Sequence, residues 1–374
     1  MRAGVLLTIF LGFGCLAACR GQVATTPEAG PTPSSAVQKL QPVSDDWSEY
    51  RPGGDTKCSD GSEFYLLTRT GDANKLVFFL EGGGGCSASA TCDPEGEPTY
   101  KMTLADQSLP EHGIFDFSNT DNPFADYSVI YVPYCTGDVH IGSNDAVYDR
   151  DDGTQFTVHH SGRANVQAGL DYAKETFPTV DTLFVTGASA GAIPTPLYAS
   201  YLAEQYPDAS IAAIGDGAGG YRYASPVPSQ LTRWGIFNHI NDIPGFETLE
   251  PRDWSFEQLY IQAGQANPEI MLGRFDFAED AAQSWFLGQN SQNDTLLANI
   301  RANNRDITAE LPRFRAFIAG GREHVVFVRP GFYDLRSNGV ALRDWVADFA
   351  DFQEVDNVEC RECAVAEGLN GSGE

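Results

Sequence analysis

Thr182-Leu183-Phe184-Val185-Thr186 is a short apolar run that leads without a break into Gly187-Ala188-Ser189-Ala190-Gly191. This junction constrains the fold more than any other part of the chain. A G-x-S-x-G turn between a buried strand and a helix needs its glycines for the sharp bend. The bend leaves the serine oxygen exposed above the sheet. Pro194 and Pro196 fall near the first turn of the helix that should follow, where a missing N–H costs least. In a chain with 38 glycines the five-residue pattern alone is weak, and the alternative is a Gly/Ser turn at an ordinary strand end. The strand before it and the helix after it favour the nucleophile reading.

A serine nucleophile needs donors for the oxyanion, and a second segment supplies candidates. Leu76-Val77-Phe78-Phe79-Leu80 reads as a buried strand, followed by Glu81 and then Gly82-Gly83-Gly84-Gly85-Cys86. Four consecutive glycines cost conformational entropy, so they suggest a backbone that must approach something closely rather than a merely flexible loop. The N–H groups of Gly83 and Gly84, joined by that of Ala190 after the nucleophile, are the candidate oxyanion hole. Both segments demand one architecture, the α/β-hydrolase fold. It has a mostly parallel sheet with helices on both faces and a site at the C-terminal ends of the strands.

In this fold the triad runs Ser, then Asp or Glu, then His. Of His112, His140, His159, His160, His239 and His324, only the last two follow Ser189. His324 sits in Gly321-Arg322-Glu323-His324, just after the late strand Ala316-Phe317-Ile318-Ala319-Gly320, whereas His239 has no clear strand before it. His324 is therefore the candidate base. For the acid, Pro268-Glu269-Ile270-Met271-Leu272 reads as a strand whose loop holds Asp276, Glu279 and Asp280. Asp216, after Ile211-Ala212-Ala213-Ile214, is a further candidate on position alone. Asp138 and His140 follow the strand Ser128-Val129-Ile130-Tyr131-Val132 and read equally as pocket lining or as structural groups. His159-His160 lead into a helix and receive no chemistry.

Thr56-Lys57-Cys58-Ser59-Asp60-Gly61-Ser62, the run Leu80 to Cys86 with Cys92, Pro133-Tyr134-Cys135 and the Ser189 motif occur in that order. Together they resemble the pectin acetylesterase family, which includes the Notum carboxylesterases, over about residues 50 to 330. The resemblance implies a serine carboxylesterase with no metal or organic cofactor. The family's acid lies in an Asp-x-x-Gln pattern, which Asp280-Ala281-Ala282-Gln283 matches, so the resemblance favours Asp280 over Asp276. It also implies disulfides Cys58–Cys135 and Cys86–Cys92, leaving Cys360 with Cys363. With Cys15 and Cys19 set aside, the six remaining of eight cysteines are an even set that fits disulfides in an exported chain. A zinc site from Cys86, Cys92, Cys360 and Cys363 has poor inner spacing. The chain departs from the family where Gly84 and Gly85 replace an aromatic residue before the cysteine, and where Ala192-Ile193-Pro194 follow the nucleophile. Both changes bear on the substrate more than on the reaction.

Met1-Arg2, an apolar stretch from Val5 to Phe13 and Leu16-Ala17-Ala18-Cys19 form a secretory signal pattern, too short to span a membrane. The cysteine after Leu-Ala-Ala resembles a bacterial lipobox. It implies residues 1–18 as signal peptide and lipidation at Cys19, hence a lipid-anchored protein of the cell envelope or a secreted one. Residues 19–46 are rich in Pro, Thr and Ser and read as a tether. Residues 47–363 form the catalytic domain, and 364–374 a disordered tail. With 24 basic against 51 acidic residues and a formal net charge of −27, nucleic acid is excluded as a partner. The expected partner is an ester substrate, with acetylated polysaccharide as one class and short acyl groups such as acetyl as the leading expectation. The protein is expected to be monomeric. Lipid esters, peptide bonds and a non-catalytic glycan-binding role are the alternatives.

Overall fold

Apolar runs without polar alternation, such as Leu76 to Leu80, need cover on both faces of a sheet. The computed structural model, which describes residues 40–222, 229–250, 253–289 and 295–369, supplies that cover. The signal segment, Cys19 and most of the tether lie outside the described residues.

The strands in chain order are β1 (Gln41–Pro42), β2 (Ser48–Tyr50), β3 (Leu66–Arg69), β4 (Asp72–Leu80), β5 (Tyr127–Val132), β6 (Asn144–Asp149) and β7 (Gln155–His160). They continue with β8 (Thr182–Ala188), β9 (Ser210–Asp216), β10 (Met271–Phe277), β11 (Arg315–Ala319), β12 (Arg336–Ser337), β13 (Val340–Ala341) and β14 (Val358–Glu359). The helices are α1 (Ser89–Cys92), α2 (Gly162–Thr176), α3 (Thr195–Gln205), α4 (Ser229–Trp234), α5 (Phe256–Ala266), α6 (Ala281–Gln289), α7 (Leu296–Glu310) and α8 (Leu342–Ala350).

Ten strands share one sheet in the order β1-β2-β3-β5-β4-β8-β9-β10-β11-β14. From β5 to β14 every neighbouring pair is parallel, and β1 to β3 add an antiparallel edge. Alternate residues of β4 serve opposite layers, as the period of a strand requires. Leu76, Phe78 and Leu80 pack in the cluster that holds Leu170, Leu197 and Leu259 of α2, α3 and α5. Val77 and Phe79 join Leu342, Trp345 and Phe349 of α8 on the other face. The α/β-hydrolase architecture expected from the two motifs is thus the observed one. Truncating a ring such as Phe78, which is fully buried, costs about 3–5 kcal/mol by loss of transfer energy plus the cavity left behind.

Three boundaries differ from the sequence reading. β10 begins at Met271, because Asn267 to Ile270 form a turn closed by the Ile270 N–H on the Asn267 carbonyl at 3.1 Å. The strand then runs through buried Arg274 and Asp276, polar residues that hid it from a search for apolar runs. The tether gives way early, with Gln41–Pro42 paired to β2. At the other end, residues 364–369 are not a loose tail: Ala366 is buried, and the Glu367 carbonyl accepts from the Arg336 N–H at 2.8 Å.

Disulfides join Cys58 to Cys135, Cys86 to Cys92 and Cys360 to Cys363. The first ties the segment before β3 to the end of β5, and the second braces the loop that follows β4.

Candidate active site

The parallel register brings several strand ends to one edge. Leu80 of β4 pairs with Gly187 of β8, Ala188 with Asp216 of β9, and Phe277 of β10 with Ala319 of β11. Each of these strands then releases one of the candidate groups.

At the end of β8 the backbone turns at Ser189, which takes a φ of 53°, the sparsely populated left-handed region for a residue with a Cβ. The flanking glycines are required by close approach. A Cβ on Gly187 would meet the Gly191 carbonyl oxygen at 2.3 Å, and one on Gly191 would meet the Leu80 carbonyl oxygen at 2.1 Å. A single 3-10 turn, Ser189–Gly191, then leads through Pro194 into α3.

After β4, the Glu81 side chain fixes the glycine loop. Its carboxylate accepts from the Tyr134 N–H at 2.8 Å, from Lys101 Nζ at 2.9 Å and from Gln107 Nε2 at 3.0 Å. The Gly83 carbonyl accepts from the Lys101 N–H at 2.8 Å, and the Cys86 N–H donates to Gly137 at 3.0 Å. Among the described residues, the N–H groups of Gly83, Gly84 and Ala190 donate to no backbone carbonyl. Three donors left available beside Ser189 are what an oxyanion site requires.

The candidate acid and base lie on neighbouring loops, zipped together by their backbones. The N–H groups of Ala278, Glu279 and Ala281 donate to the carbonyls of Ala319, Gly321 and Arg322 at 2.8–3.0 Å. His324 Nδ1 donates to Asp280 Oδ2 at 2.7 Å, with Asp280 fully buried. Gln283 anchors the carboxylate: its N–H donates to Asp280 Oδ1 at 2.9 Å, and Nε2 donates to Asp280 Oδ2 at 3.1 Å and Asp276 Oδ1 at 3.0 Å. Its Oε1 accepts from the Gly220 N–H at 2.9 Å. The C-terminal segment backs the histidine loop, with the Gly321 N–H donating to the Cys363 carbonyl at 2.9 Å.

The two rejected acids have other partners. Burial pushes the Asp276 carboxyl up to about 6, against the pull of Arg274 and of the Gly219 N–H, which donates to it at 2.7 Å. Burial likewise pushes Asp216 up to about 7, and its carboxylate accepts from the N–H groups of Val326 and Phe327 rather than from a ring. Asp138 accepts from the Gly162 N–H at 2.8 Å and Thr136 Oγ1 at 2.6 Å, and His140 Nε2 bonds the Glu81 carbonyl at 2.8 Å. Both brace the loop after β5, and it is Val139 between them that reaches a cavity wall. His239 does not approach the triad loops through any hydrogen bond among the described residues.

Ser189 stands where two cavities meet. One, about 280 Å³, is walled by Val139, Ile193, Trp234, Phe256, Trp285 and Phe286. The other, about 700 Å³, carries Glu81, Gln107, Glu111, His112, His324 and Arg329. Ser189 and His324 share the second cavity, without a direct hydrogen bond between them among the described residues; such contacts tighten when substrate binds. The aromatic walls were not anticipated from sequence. Trp234 and Trp285 come from α4 and α6, and no local motif marks them. Trp234 Nε1 donates to the Cys86 carbonyl at 2.6 Å, and its ring comes within 3.9 Å of where a Gly85 Cβ would stand. It thereby borders the glycine loop at the position where the sequence lacks an aromatic residue.

Cys86, Cys92 and His160 lie close enough to suggest a metal, but both sulfurs are in a disulfide and both ring nitrogens are engaged, with Tyr148 and Thr136. A sulfur held in a disulfide is not a thiolate ligand.

The family pattern Pectinacetylesterase matches residues 51–252, the stretch that carries the glycine loop and the Ser189 turn. The chain belongs to the pectinacetylesterase family. Pectin acetylesterase 4 of Arabidopsis thaliana is 25% identical over 171 residues, covering 43% of this chain and 40% of that protein. The palmitoleoyl-protein carboxylesterase NOTUM of Schmidtea mediterranea is 30% identical over 145 residues, 37% of this chain and 26% of its own length. The inactive palmitoleoyl-protein carboxylesterase notum1b of Danio rerio is 30% identical over 121 residues, 29% of this chain and 86% of that protein. The matched stretch thus spans less than half of the first two relatives. The pectinacetylesterase match ends before Asp280 and His324, so their assignment as candidates rests on the geometry above.

Proposed function

We propose that this pectinacetylesterase-family protein is an exported serine carboxylesterase whose triad is Ser189, His324 and Asp280. Ser189 Oγ attacks the ester carbonyl carbon while His324 Nε2 takes its proton, and Asp280 orients the ring and stabilises the imidazolium. The N–H groups of Gly83, Gly84 and Ala190 hold the oxyanion, each such donor being worth about 3 kcal/mol in the transition state. Collapse breaks the ester C–O bond, and the alcohol leaves with the proton from His324. Water, deprotonated by His324, then attacks the acyl-enzyme, releasing the acid and restoring Ser189.

One observation carries this reading: Ser189 lies where two cavities meet, and of the two only the larger, which brings Glu81, Gln107, Glu111 and Arg329 together with apolar walls, contains His324. The leaving alcohol must receive its proton from the histidine, so it belongs in the larger cavity, among those polar groups. The acyl chain then belongs in the apolar pocket. A methyl group is about the size of a water molecule, with a share of about 30 Å³. The 280 Å³ available therefore accommodates about nine carbons rather than acetyl alone. This moves the preferred substrate from the short acyl groups expected from sequence to medium-chain esters of a bulky polar alcohol, a sugar or polysaccharide hydroxyl among them. It falls between the acyl groups in the names of the plant and flatworm relatives. Three disulfides support work in an oxidising compartment, and lipidation at Cys19 would hold the enzyme at the envelope.

The test is hydrolysis of p-nitrophenyl octanoate together with labelling by a fluorophosphonate probe. Wild type is expected to turn over the ester and take one label, and Ser189→Ala to do neither. Undiminished hydrolysis by Ser189→Ala would refute the assignment.

A further inference from the structure

Asp216 is a buried carboxylate beside the triad that the reaction above does not use. It ends β9 and is fully excluded from solvent. Oδ2 accepts from the Val326 N–H at 2.9 Å and the Phe327 N–H at 2.8 Å, and Oδ1 lies 3.2 Å from the Val326 nitrogen. These N–H groups come two and three residues after His324. Between them and the histidine stands Val325, with a φ of 58°.

That conformation is a genuine outlier for a β-branched residue. It persists only where the surroundings over-determine it. Here the determinants are visible. Asp216 grips the chain immediately after the strained residue, and Gly217, which follows β9, approaches it closely: a Cβ there would come 2.9 Å from Val325 Cγ1 and 3.6 Å from His324 Cε1. The backbone zipper to the Asp280 loop, ending at Arg322, holds the chain just before the histidine. His324 is thus clamped from both sides; downstream, Asp216 holds the N–H groups of Val326 and Phe327 while the Ile114 N–H donates to the Phe327 carbonyl at 2.8 Å.

We infer that Asp216 is a positioning residue for His324, holding the left-handed turn at Val325 and setting a second carboxylate behind the imidazole. The inference rests on the serine-esterase reading. Asp280 fixes the ring through Nδ1, whereas Asp216 fixes the backbone that carries the ring. The charge is part of the role. Burial pushes the Asp216 carboxyl up to about 7; of the groups that face it, His324 on the loop it holds pulls it down and Asp276 on the adjacent strand pushes it up. The two backbone N–H bonds favour the ionised form. When His324 becomes imidazolium in the transition state, an ionised Asp216, itself fully buried, adds attraction that solvent screens less than it would screen an exposed carboxylate.

The experiment compares Asp216→Ala and Asp216→Asn with wild type, as kcat and KM for p-nitrophenyl octanoate, per active site titrated with a fluorophosphonate. Titration restricts the readout to folded, labelled enzyme. Alanine removes both acceptors and lets the Val325 turn relax; a shift of about 1 Å in a catalytic group costs about a hundredfold, and that loss is expected in kcat. Asparagine keeps one acceptor oxygen and the shape, but turns an amide toward the Val326 N–H and removes the charge. A loss of about tenfold is expected, equivalent to about 1.4 kcal/mol. KM should stay within about twofold for Asp216→Asn, because Asp216 itself lines neither cavity and the turn at Val325 keeps its shape. A kcat for Asp216→Asn within threefold of wild type would overturn the proposal, whether or not the alanine variant folds. Failure of the esterase reading looks different: Ser189→Ala would then keep its activity whatever Asp216 does.

Discussion

Trp285 offers the sharpest test of where the acyl chain lies. Its indole is 47% exposed although it borders the apolar pocket, and it meets the Phe286 ring edge-on at 4.8 Å. A chain long enough to leave the inner pocket must cross this exposed face. Contact over half an indole removes about 50–60 Å² of apolar surface from water, counting both partners, which at about 25 cal/mol per Å² is about 1.4 kcal/mol. That is about tenfold in kcat/KM. Trp285→Ala should therefore lower the ratio of octanoyl to acetyl p-nitrophenyl ester turnover about tenfold. Because the side chain is half in water, stability should change by no more than about 0.5 kcal/mol. The assay is kcat/KM for both esters in both proteins, with thermal unfolding alongside. An unchanged ratio would mean that the chain does not pass this wall, and the acyl assignment of the apolar pocket would be wrong.

Further outcomes follow from the polar groups and cross-links. Gln283→Leu removes the amide that bridges Asp280 and Asp276 and should lower kcat by about ten- to a hundredfold, read in steady-state kinetics, with the KM change within threefold. Asp276 gives a pH test. Its folded carboxyl stands at about 6 against 3.8 for the free group, so the folded state keeps its proton to higher pH than the unfolded state. The stability it contributes is complete below about pH 4 and lost as pH rises past 6, a change of about 3 kcal/mol at most. Asp276→Asn does not titrate, so its stability relative to wild type should rise by up to that amount between pH 4 and pH 7. Urea midpoints that run parallel at the two pH values would refute this. Replacing Cys58 and Cys135 with serine opens a cross-link spanning 77 residues and should cost about 4 kcal/mol on the loop-entropy account, measured by chemical denaturation.

What could be read from sequence follows a physical rule. β4 and β8 were legible because runs such as Leu76–Leu80 are buried on both faces, and the Ser189 turn because close approach admits only glycine at 187 and 191. β10 was misplaced because Arg274 and Asp276 lie inside it, satisfied by partners distant in sequence such as Asn304 and Gly219. No local pattern can announce a partner thirty or more residues away. The same limit hid the pocket: Trp234 and Trp285 are brought to one wall only by the packing of two separate helices. Asp216 was visible as an acidic residue at a strand end, and its grip on Val326 and Phe327 spans 110 residues of chain.

The bond from the Gly321 N–H to the Cys363 carbonyl bears on the order in which the protein comes into being. Chains emerge N-terminus first and fold progressively. The nucleophile turn and the glycine loop are complete once β9 has formed, long before the segment around Cys360 and Cys363 exists. The histidine loop gains its rear support only from those last residues, and the disulfide within them closes only in an oxidising compartment. A nascent copy therefore carries the Ser189 turn before the His324 loop has its rear support. The rear support of the histidine loop is in this way the last part of the site to be made.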